Sequence, residues 1–267
     1  MQPKNTKKIT PVVKPILKGD WYGREAMKLA PRRTLSTLLI GLLYVFCSIM
    51  AGFEQPALKI IVSLAIIGIA FYFQYIKGME YGEKDASFAE IMYERQQEGR
   101  LISAEDRSRC FHPLRGAYAT LLGVLPFIII CIVYAFMAKR WSYSLGVLPG
   151  WMDNMLMHDE MKDALAYYNH HATFGLKDAL QIIARCLTMP FINIASVFGH
   201  DAVLLAERLS ALFVLVAPMG FGAGYSRGHV LRTRINTGIQ QGVEKKKNRE
   251  RKARRKRQRS SAPERLI

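Results

Sequence analysis

Residues 34–76 read TLSTLLIGLLYVFCSIMAGFEQPALKIIVSLAIIGIAFYFQYI, two apolar runs separated by Glu54, Gln55 and Pro56. Each run has about the 20 residues that a helix needs to cross a hydrocarbon core. The one charge inside them, Lys59, lies close enough to the start of its run for the ammonium group to reach the interface. The two runs therefore predict an antiparallel transmembrane hairpin with a tight turn.

Two later apolar runs predict two more spans. Residues 117–138 carry no charge, and Pro126 within them is tolerated because neighbouring helices can satisfy the freed carbonyl. Residues 203–225 form the second run. The predicted fold class is all-α, a polytopic integral membrane protein with four transmembrane helices at about 34–53, 57–76, 117–138 and 203–225.

Residues 176–199 precede the fourth span and carry a different pattern. Apolar and polar residues form two separate helical stripes, which is typical of a helix lying in the membrane plane. Beyond Pro190, the remaining apolar residues are too few to cross alone. We therefore interpret 176–199 as an interfacial or re-entrant helix within an outer segment, 139–202. The stripes are Leu176, Leu180, Ile183 and Leu187 against Lys177, Gln181, Arg185 and Thr188.

Basic residues are concentrated in three polar segments. Of the 38 Lys and Arg residues, nine precede residue 35, seven lie in 77–116 and fifteen follow residue 225. Cytoplasmic segments carry such an excess, and an even number of spans places all three on that side. We predict a multi-pass protein with both termini cytoplasmic, in the plasma (inner) membrane if the protein is bacterial.

This topology divides the chain into three parts. Residues 1–33 are a basic, amphipathic cytoplasmic arm, and residues 34–225 are a helical membrane domain that includes the cytoplasmic loop 77–116. Residues 226–267 are a polybasic cytoplasmic tail, which we expect to be disordered because it has no apolar stripe to bury.

Short local structures are predicted in the arm and in the loop. Asp20 can cap a helix that ends before Pro31. In the loop, a narrow apolar stripe predicts a helix over about 87–97, and Ser103 begins a capping-box pattern for another. His112 is expected to be a hydrogen-bonded turn residue rather than a base, since no second candidate group stands at a defined spacing.

The tail offers the strongest indication of partners. Eleven of the sixteen residues in 244–259 are Lys or Arg, and anionic lipid headgroups are the nearest polyanion. Ribosomal RNA is the other, bound through phosphate contacts; the tail has no aromatic residue for base stacking, and no DNA partner is predicted. The predicted phosphate-binding residues are Lys245, Lys246, Lys247, Arg249, Arg251, Lys252, Arg254, Arg255, Lys256, Arg257 and Arg259.

A few residues within the membrane domain are candidates for function or packing. Ionisable side chains at membrane depth are functional candidates by default, which selects Arg185, Glu207 and Arg208. Gly224 and Gly228 resemble part of a phosphate-binding loop, but they follow an apolar helix rather than a strand. Their spacing instead predicts close helix packing.

Metal and cofactor sites are not predicted. No cysteine has a CxxC partner, and the residues of metal-binding type in the outer segment contain no HxxxH or HxxE pair. These residues are His158, Asp159, Glu160, His170, His171, His200 and Asp201.

Three classes of function follow from these features. The favoured prediction is a non-enzymatic membrane protein that acts by interaction, as an accessory or scaffold subunit that meets other membrane proteins and binds anionic headgroups through its tail. The alternatives are a small transporter or channel component, although internal repeats and broken helices are missing, and a ribosome-contacting membrane factor. A membrane enzyme acting on lipid or peptide would need a convergent polar constellation.

The topology can be tested with one engineered cysteine. After the four native cysteines are replaced, a cysteine at Ser260 should be labelled by an impermeant maleimide only when the membrane is opened, because we expect the tail to be cytoplasmic. Labelling of intact cells at that position would show the tail on the outside and contradict the four-span topology, and five spans would then replace it.

Overall fold

The computed structural model describes residues 12–50, 55–138 and 175–260, the last range with side chains to residue 255. Every regular element in these ranges is a helix, which confirms the all-α prediction. The helices are α1 (Arg24–Met50), α2 (Pro56–Gln97), α3 (Ala104–Arg109), α4 (Arg115–Met137), α5 (Leu176–Ser196), α6 (His200–Arg208), α7 (Ser210–Ser226) and α8 (Gly228–Ser260).

The described helices are those of a polytopic membrane protein. Helices α1, α2, α4 and α5 are each long and apolar enough to cross a membrane. Helices α6 and α7 meet this requirement only together, as one segment bent by 63°. By length and composition, the described part of the bundle thus contains four candidate spans, or five if α6 and α7 together form one further span.

Helices α2 and α7 pack backbone against backbone. A Cβ atom built on Gly78 would overlap the carbonyl of Phe221, and one built on Gly224 would overlap the carbonyl of Tyr75. Gly228, at the start of α8, lies against Gly82 in the same way. Only glycine permits this approach, which is a common form of helix contact in membranes.

Helix α2 is much longer than predicted. Its 42 residues extend about 63 Å at 1.5 Å per residue, roughly twice the thickness of a hydrocarbon core. The prediction of a separate helix over 87–97 is therefore wrong, because these residues continue α2. Gly78 and Gly82 lower the stability of an isolated helix. Here the packing of α7 and α8 against them offsets that cost.

Helix α1 also differs from the prediction. It begins at Arg24 and continues through Pro31 to Met50, so the expected helix capped by Asp20 and ending before Pro31 is wrong. An interior proline costs about 3 kcal/mol, and packing of α1 against α4 offsets this cost. The Oγ1 of Thr34 donates to the carbonyl oxygen of Gly123 at 2.8 Å, beside the proline.

The three basic segments meet at one end of the bundle, which we call the basic end. The backbone N–H of Leu17 in the arm donates to the carbonyl of Ala89 on α2. The N–H of Val12 donates to Oγ1 of Thr237 on α8, at 3.0 Å. The arm, residues 77–97 of α2 (the α2 extension) and the start of α8 thus lie on the same side, while α1 ends and α2 begins at the opposite end.

The tail is helical where disorder was predicted. Helix α8 runs from Gly228 to Ser260, so that prediction is wrong over this range. Its first turns pack on α2, where Nδ2 of Asn236 donates to Oε1 of Glu90 at 2.7 Å. The Lys, Arg, Glu and Gln residues that follow are good helix formers, which accounts for the continuation.

Helix α5 approaches the opposite end of the bundle at both of its ends. Near its carboxyl end, Ser196 Oγ accepts a hydrogen bond from Nζ of Lys59, in the first turn of α2, at 2.7 Å. Nearer its start, Leu180 packs on the cluster that contains Tyr134, in the last turn of α4. Between them, Leu187 contacts Gly41 in the middle of α1. These contacts favour the re-entrant or interfacial interpretation of the segment.

Two glycine substitutions in α2 separate packing from helix propensity. Gly78→Ala should destabilise the protein by about 1–3 kcal/mol, since the added methyl meets the backbone of α7. Gly68 has open space around it, so Gly68→Ala should be neutral or stabilising by up to about 1 kcal/mol. Thermal unfolding in detergent measures both. Equal effects of the two substitutions would contradict the packing argument.

Candidate functional site

A buried polar cluster connects the elements of the basic end. The guanidinium of Arg115, in the first turn of α4, has its Nη1 3.3 Å from Oδ2 of Asp85 on α2. The hydroxyl of Tyr225 on α7 donates to the same carboxylate oxygen. Only 2% of Arg115 is exposed, so its charge is compensated almost entirely by protein groups.

Arg115 also binds the loop and the arm through backbone carbonyls. Its Nε and Nη2 donate to the carbonyl oxygen of Asp20, at 3.1 and 2.9 Å. Its remaining contacts are with the carbonyl oxygens of Ser108, Arg109 and Cys110, around the end of α3. Because a guanidinium has five N–H donors and all are used, Arg115 has no donor left for a ligand. The cluster is a structural clamp.

Two residues of the loop that could carry chemistry are held in structural roles. Burial raises the pKa of the Cys110 thiol to about 11, so the reactive thiolate is scarce at neutral pH. Burial and the neighbouring Arg115 lower the pKa of His112, and its Nδ1 accepts from the N–H of Leu114. The prediction of a hydrogen-bonded turn residue is confirmed. Ser103 caps α3, also as predicted.

A second ionic cluster fixes the start of α8 to the α2 extension. Nε of Arg232 lies 2.9 Å from Oε2 of Glu90, and its Nη1 lies 3.1 Å from Oε1 of Glu83. Burial lowers the pKa of the Arg232 guanidinium, but the two carboxylates outweigh this effect and raise it. Asn236 donates to the other oxygen of Glu90. The base of α8 is therefore held at several points.

The predicted membrane-depth candidates Arg185 and Glu207 form an ion pair with each other. Nε and Nη2 of Arg185 lie 2.7 and 2.6 Å from Oε1 of Glu207. With the amide of Gln181 turned so that its oxygen faces them, that oxygen accepts from Arg185 and from the Tyr134 hydroxyl. The pair is neutral overall and connects α5 to α6. Arg208 is exposed beside Ile132, Ala135, Phe136 and Ala211.

Arg33 lies inside the bundle although its sequence position assigned it to the arm. Its guanidinium carbon is 3.8 Å from the ring centroid of Phe221, and its Nη1 donates to Oε1 of Gln74 at 3.3 Å. A cation over an aromatic face is stabilised when desolvated. Arg33, Arg115 and Arg232 were all missed from the sequence. For Arg232, the sequence did contain a signal, because Glu83 and Glu90 lie two turns apart on one helix face and can share a cationic partner.

The predicted tail residues are exposed on α8. None of those from Lys245 to Arg255 pairs with an acid in the described part of the chain. Lys256, Arg257 and Arg259 lie on its last turns, where the structure describes the backbone alone. The other predicted packing residues, Gly224 and Gly228, lie against α2 as described above.

No metal site is found among residues 12–50, 55–138 and 175–260. His200 and Asp201 lie in the first turn of α6. The other candidates, from His158 to His171, lie outside the described residues.

The chain matches no protein-family model, no curated protein and no solved structure.

The clamp can be tested through Cys110, which is fully buried beneath Arg115. With Cys47, Cys131 and Cys186 replaced by alanine, a hydrophilic maleimide should label Cys110 slowly at pH 7, because the thiol is buried and protonated. Arg115→Gln should raise the labelling rate by about tenfold or more, since it removes the contacts that close the loop over the thiol.

Arg107→Gln is the matched control, because Arg107 is exposed on α3 and its side chain makes no ion pair with a described residue. It should not accelerate labelling, because the charge of Arg107 lowers the pKa of the Cys110 thiol and its removal disfavours the thiolate. Fast labelling without any substitution, or equal acceleration by both, would show that Arg115 does not close the loop.

Proposed function

We propose that this protein is a non-enzymatic membrane protein that acts as a scaffold, holding a polybasic helix clear of the bilayer so that it binds structured RNA such as that on the surface of the ribosome. The main support for the proposal is the direction of α8, which runs along α2 and away from the apolar part of the bundle. The buried polar clusters support an interaction role, because their donors are used to join helices and not to bind a substrate.

Helix α8 follows the α2 extension away from the membrane domain. It begins at Gly228 against Gly82 and reaches Glu90, two turns further along α2, through Asn236. The arm runs beside both helices, since Val12 bonds to Thr237. The α2 extension and the arm thus support the base of α8 and direct it along the axis of α2.

Distance then separates the charged residues from the bilayer. Lys245 is 17 residues beyond Gly228, which is about 26 Å along a helix, and Arg255 is about 40 Å along it. At physiological ionic strength, charges are screened beyond about 8 Å. We infer that, with α8 directed along the axis of α2, these residues lie beyond the electrostatic range of the protein's own headgroups, whereas a partner that approaches from solution can reach them.

The chemistry of α8 fits a phosphate backbone. Lys and Arg supply charge and hydrogen-bond donors, and contacts with phosphates bind RNA without reading its sequence. The segment 244–259 has no aromatic side chain, so stacking on single-stranded bases does not contribute. Binding should depend steeply on salt and weakly on sequence.

Attachment to anionic headgroups is a second candidate, and one observation favours it. Gly238 and Gly242 lie in α8 with open space around them, between the supported base and the basic residues. Each weakens the helix by about 1 kcal/mol relative to alanine. A bend at these glycines would lower the basic residues toward a membrane surface.

The two candidates are distinguished by the full-length protein in nanodiscs. In neutral phosphatidylcholine nanodiscs the protein should co-sediment with ribosomes at low salt. Changing Arg249, Arg251, Arg254 and Arg255 to glutamine should reduce the slope of log affinity against log salt by about 3, because four phosphate contacts are lost.

The matched control changes four exposed bases elsewhere at the basic end, Lys18, Arg95, Arg100 and Arg107, and should keep the slope. The headgroup candidate predicts a different result: acidic lipid in the nanodisc abolishes ribosome binding that neutral lipid permits. The double variant Gly238→Ala, Gly242→Ala then restores ribosome binding, because it prevents the bend that brings α8 to the headgroups. Unchanged salt dependence in the tail variant would refute both candidates.

A further inference from the structure

An open groove of about 650 Å³ runs between α1 and α4. This volume lies within the range of about 300–1,000 Å³ that is usual for small-ligand sites. With the exception of Thr34 and the Tyr118 hydroxyl, its lining is apolar. The lining residues are Met27, Ala30, Pro31, Thr34, Leu35, Leu38, Tyr118, Leu122 and Pro126.

The groove is part of the membrane-facing surface near the basic end. Its floor is the close contact of α1 with Gly123 of α4, where Thr34 donates to the glycine carbonyl. Its α1 wall remains open to the surroundings, since Met27 is 57% and Leu35 60% exposed. Both helices are candidate spans, so the groove faces hydrocarbon and an apolar chain fills it without a desolvation cost.

Each wall of the groove contains one interior proline. Pro31 on α1 and Pro126 on α4 both line it. A proline ring clashes with the carbonyl four residues earlier and prevents a straight, tightly packed turn. Two such turns facing each other account for the gap between helices that are in contact at Gly123.

The mouth of the groove has the residues of a headgroup site. Trp21 packs edge-on against Tyr118, a lining residue, with ring centroids 5.5 Å apart. Trp and Tyr favour the headgroup level of a membrane. Arg24 is exposed, lies three residues before Met27 on the same face of α1, and pairs with no acid among the described residues.

We propose that this groove is a binding site for one anionic glycerophospholipid, with an acyl chain between α1 and α4 and the phosphate at Arg24. The charge of Arg24 favours an anionic lipid over a zwitterionic one, because the ammonium group of a zwitterion competes for the same phosphate. The site is separate from α8, and its occupation does not depend on what the tail binds.

Trp21 can report occupation of the site. Trp141→Phe and Trp151→Phe leave it as the only tryptophan of the three in the chain. In phosphatidylcholine nanodiscs, a few mole per cent of brominated phosphatidylglycerol should quench it with an apparent affinity about tenfold higher than brominated phosphatidylcholine does. This factor is that expected of one charge-assisted hydrogen bond.

Two pairs of variants test the geometry. Arg24→Gln should abolish the preference, whereas Arg32→Gln, an exposed arginine of α1 that does not line the groove, should keep it. Leu38→Phe with Leu122→Phe should fill the groove and weaken quenching by both lipids. Leu39→Phe with Leu125→Phe, exposed neighbours outside the groove, should not.

Equal quenching by the two brominated lipids would overturn the proposal. Loss of the preference in both arginine variants would also overturn it, because it would show that the net charge of the surface, and not Arg24, selects the lipid. A preference that survives the filled groove would also overturn it. Size-exclusion profiles and circular dichroism of each variant establish that it is folded.

Discussion

The glycine contact between α2 and α7 is the constraint on which the rest of the structure depends. Gly78, Gly82 and Gly224 allow the two backbones to approach until a methyl group would collide with a carbonyl, and Gly228 extends this contact to the start of α8. In a membrane, where lipid tails are as apolar as leucine, such close packing replaces the hydrophobic effect as a source of helix association. It also makes the relative position of the helices specific, since a shift along the axis would bring side chains into the gap.

Buried charges at the basic end require that specificity. Asp85, Glu83 and Glu90 all lie on the α2 extension, and their cationic partners come from α4 and α8. A buried ion pair compensates its desolvation cost only with good geometry. Because the glycine contact fixes α2 against α7 immediately before these residues, the carboxylates meet Arg115 and Arg232 where all the donors can be satisfied.

Composition and periodicity were sufficient for the class of the protein and for part of its packing. Apolar runs and basic segments predict an all-α membrane protein, since both follow from the cost of placing charge in hydrocarbon. The spacing of Gly224 and Gly228 indicates a helix contact without naming its partner. The predicted break in α2 was wrong because residues beyond 76 are polar, and polarity alone does not distinguish a solvated helix from a loop.

The partners of buried charges were not predictable in the same way. Arg33 stands beside other basic residues and resembles part of the arm, yet in the fold it faces Phe221. Arg185 and Glu207 were each recognised as unusual, but their pairing depends on how α5 and α6 turn back on each other. Such contacts are properties of the tertiary arrangement, and one sequence contains no periodic signal for them.

The arm has a consequence for the order in which the molecule is completed. Residues 12–20 leave the ribosome before α2, α4 and α8, which contain their partners, have been synthesised. The carbonyl of Asp20 gains its partner only when Arg115 has been made, and the amide of Val12 only when Thr237, 225 residues later, has been made. The arm therefore docks only after the start of α8 has been made, and its docking marks a bundle in which α2, α4 and α8 have already met.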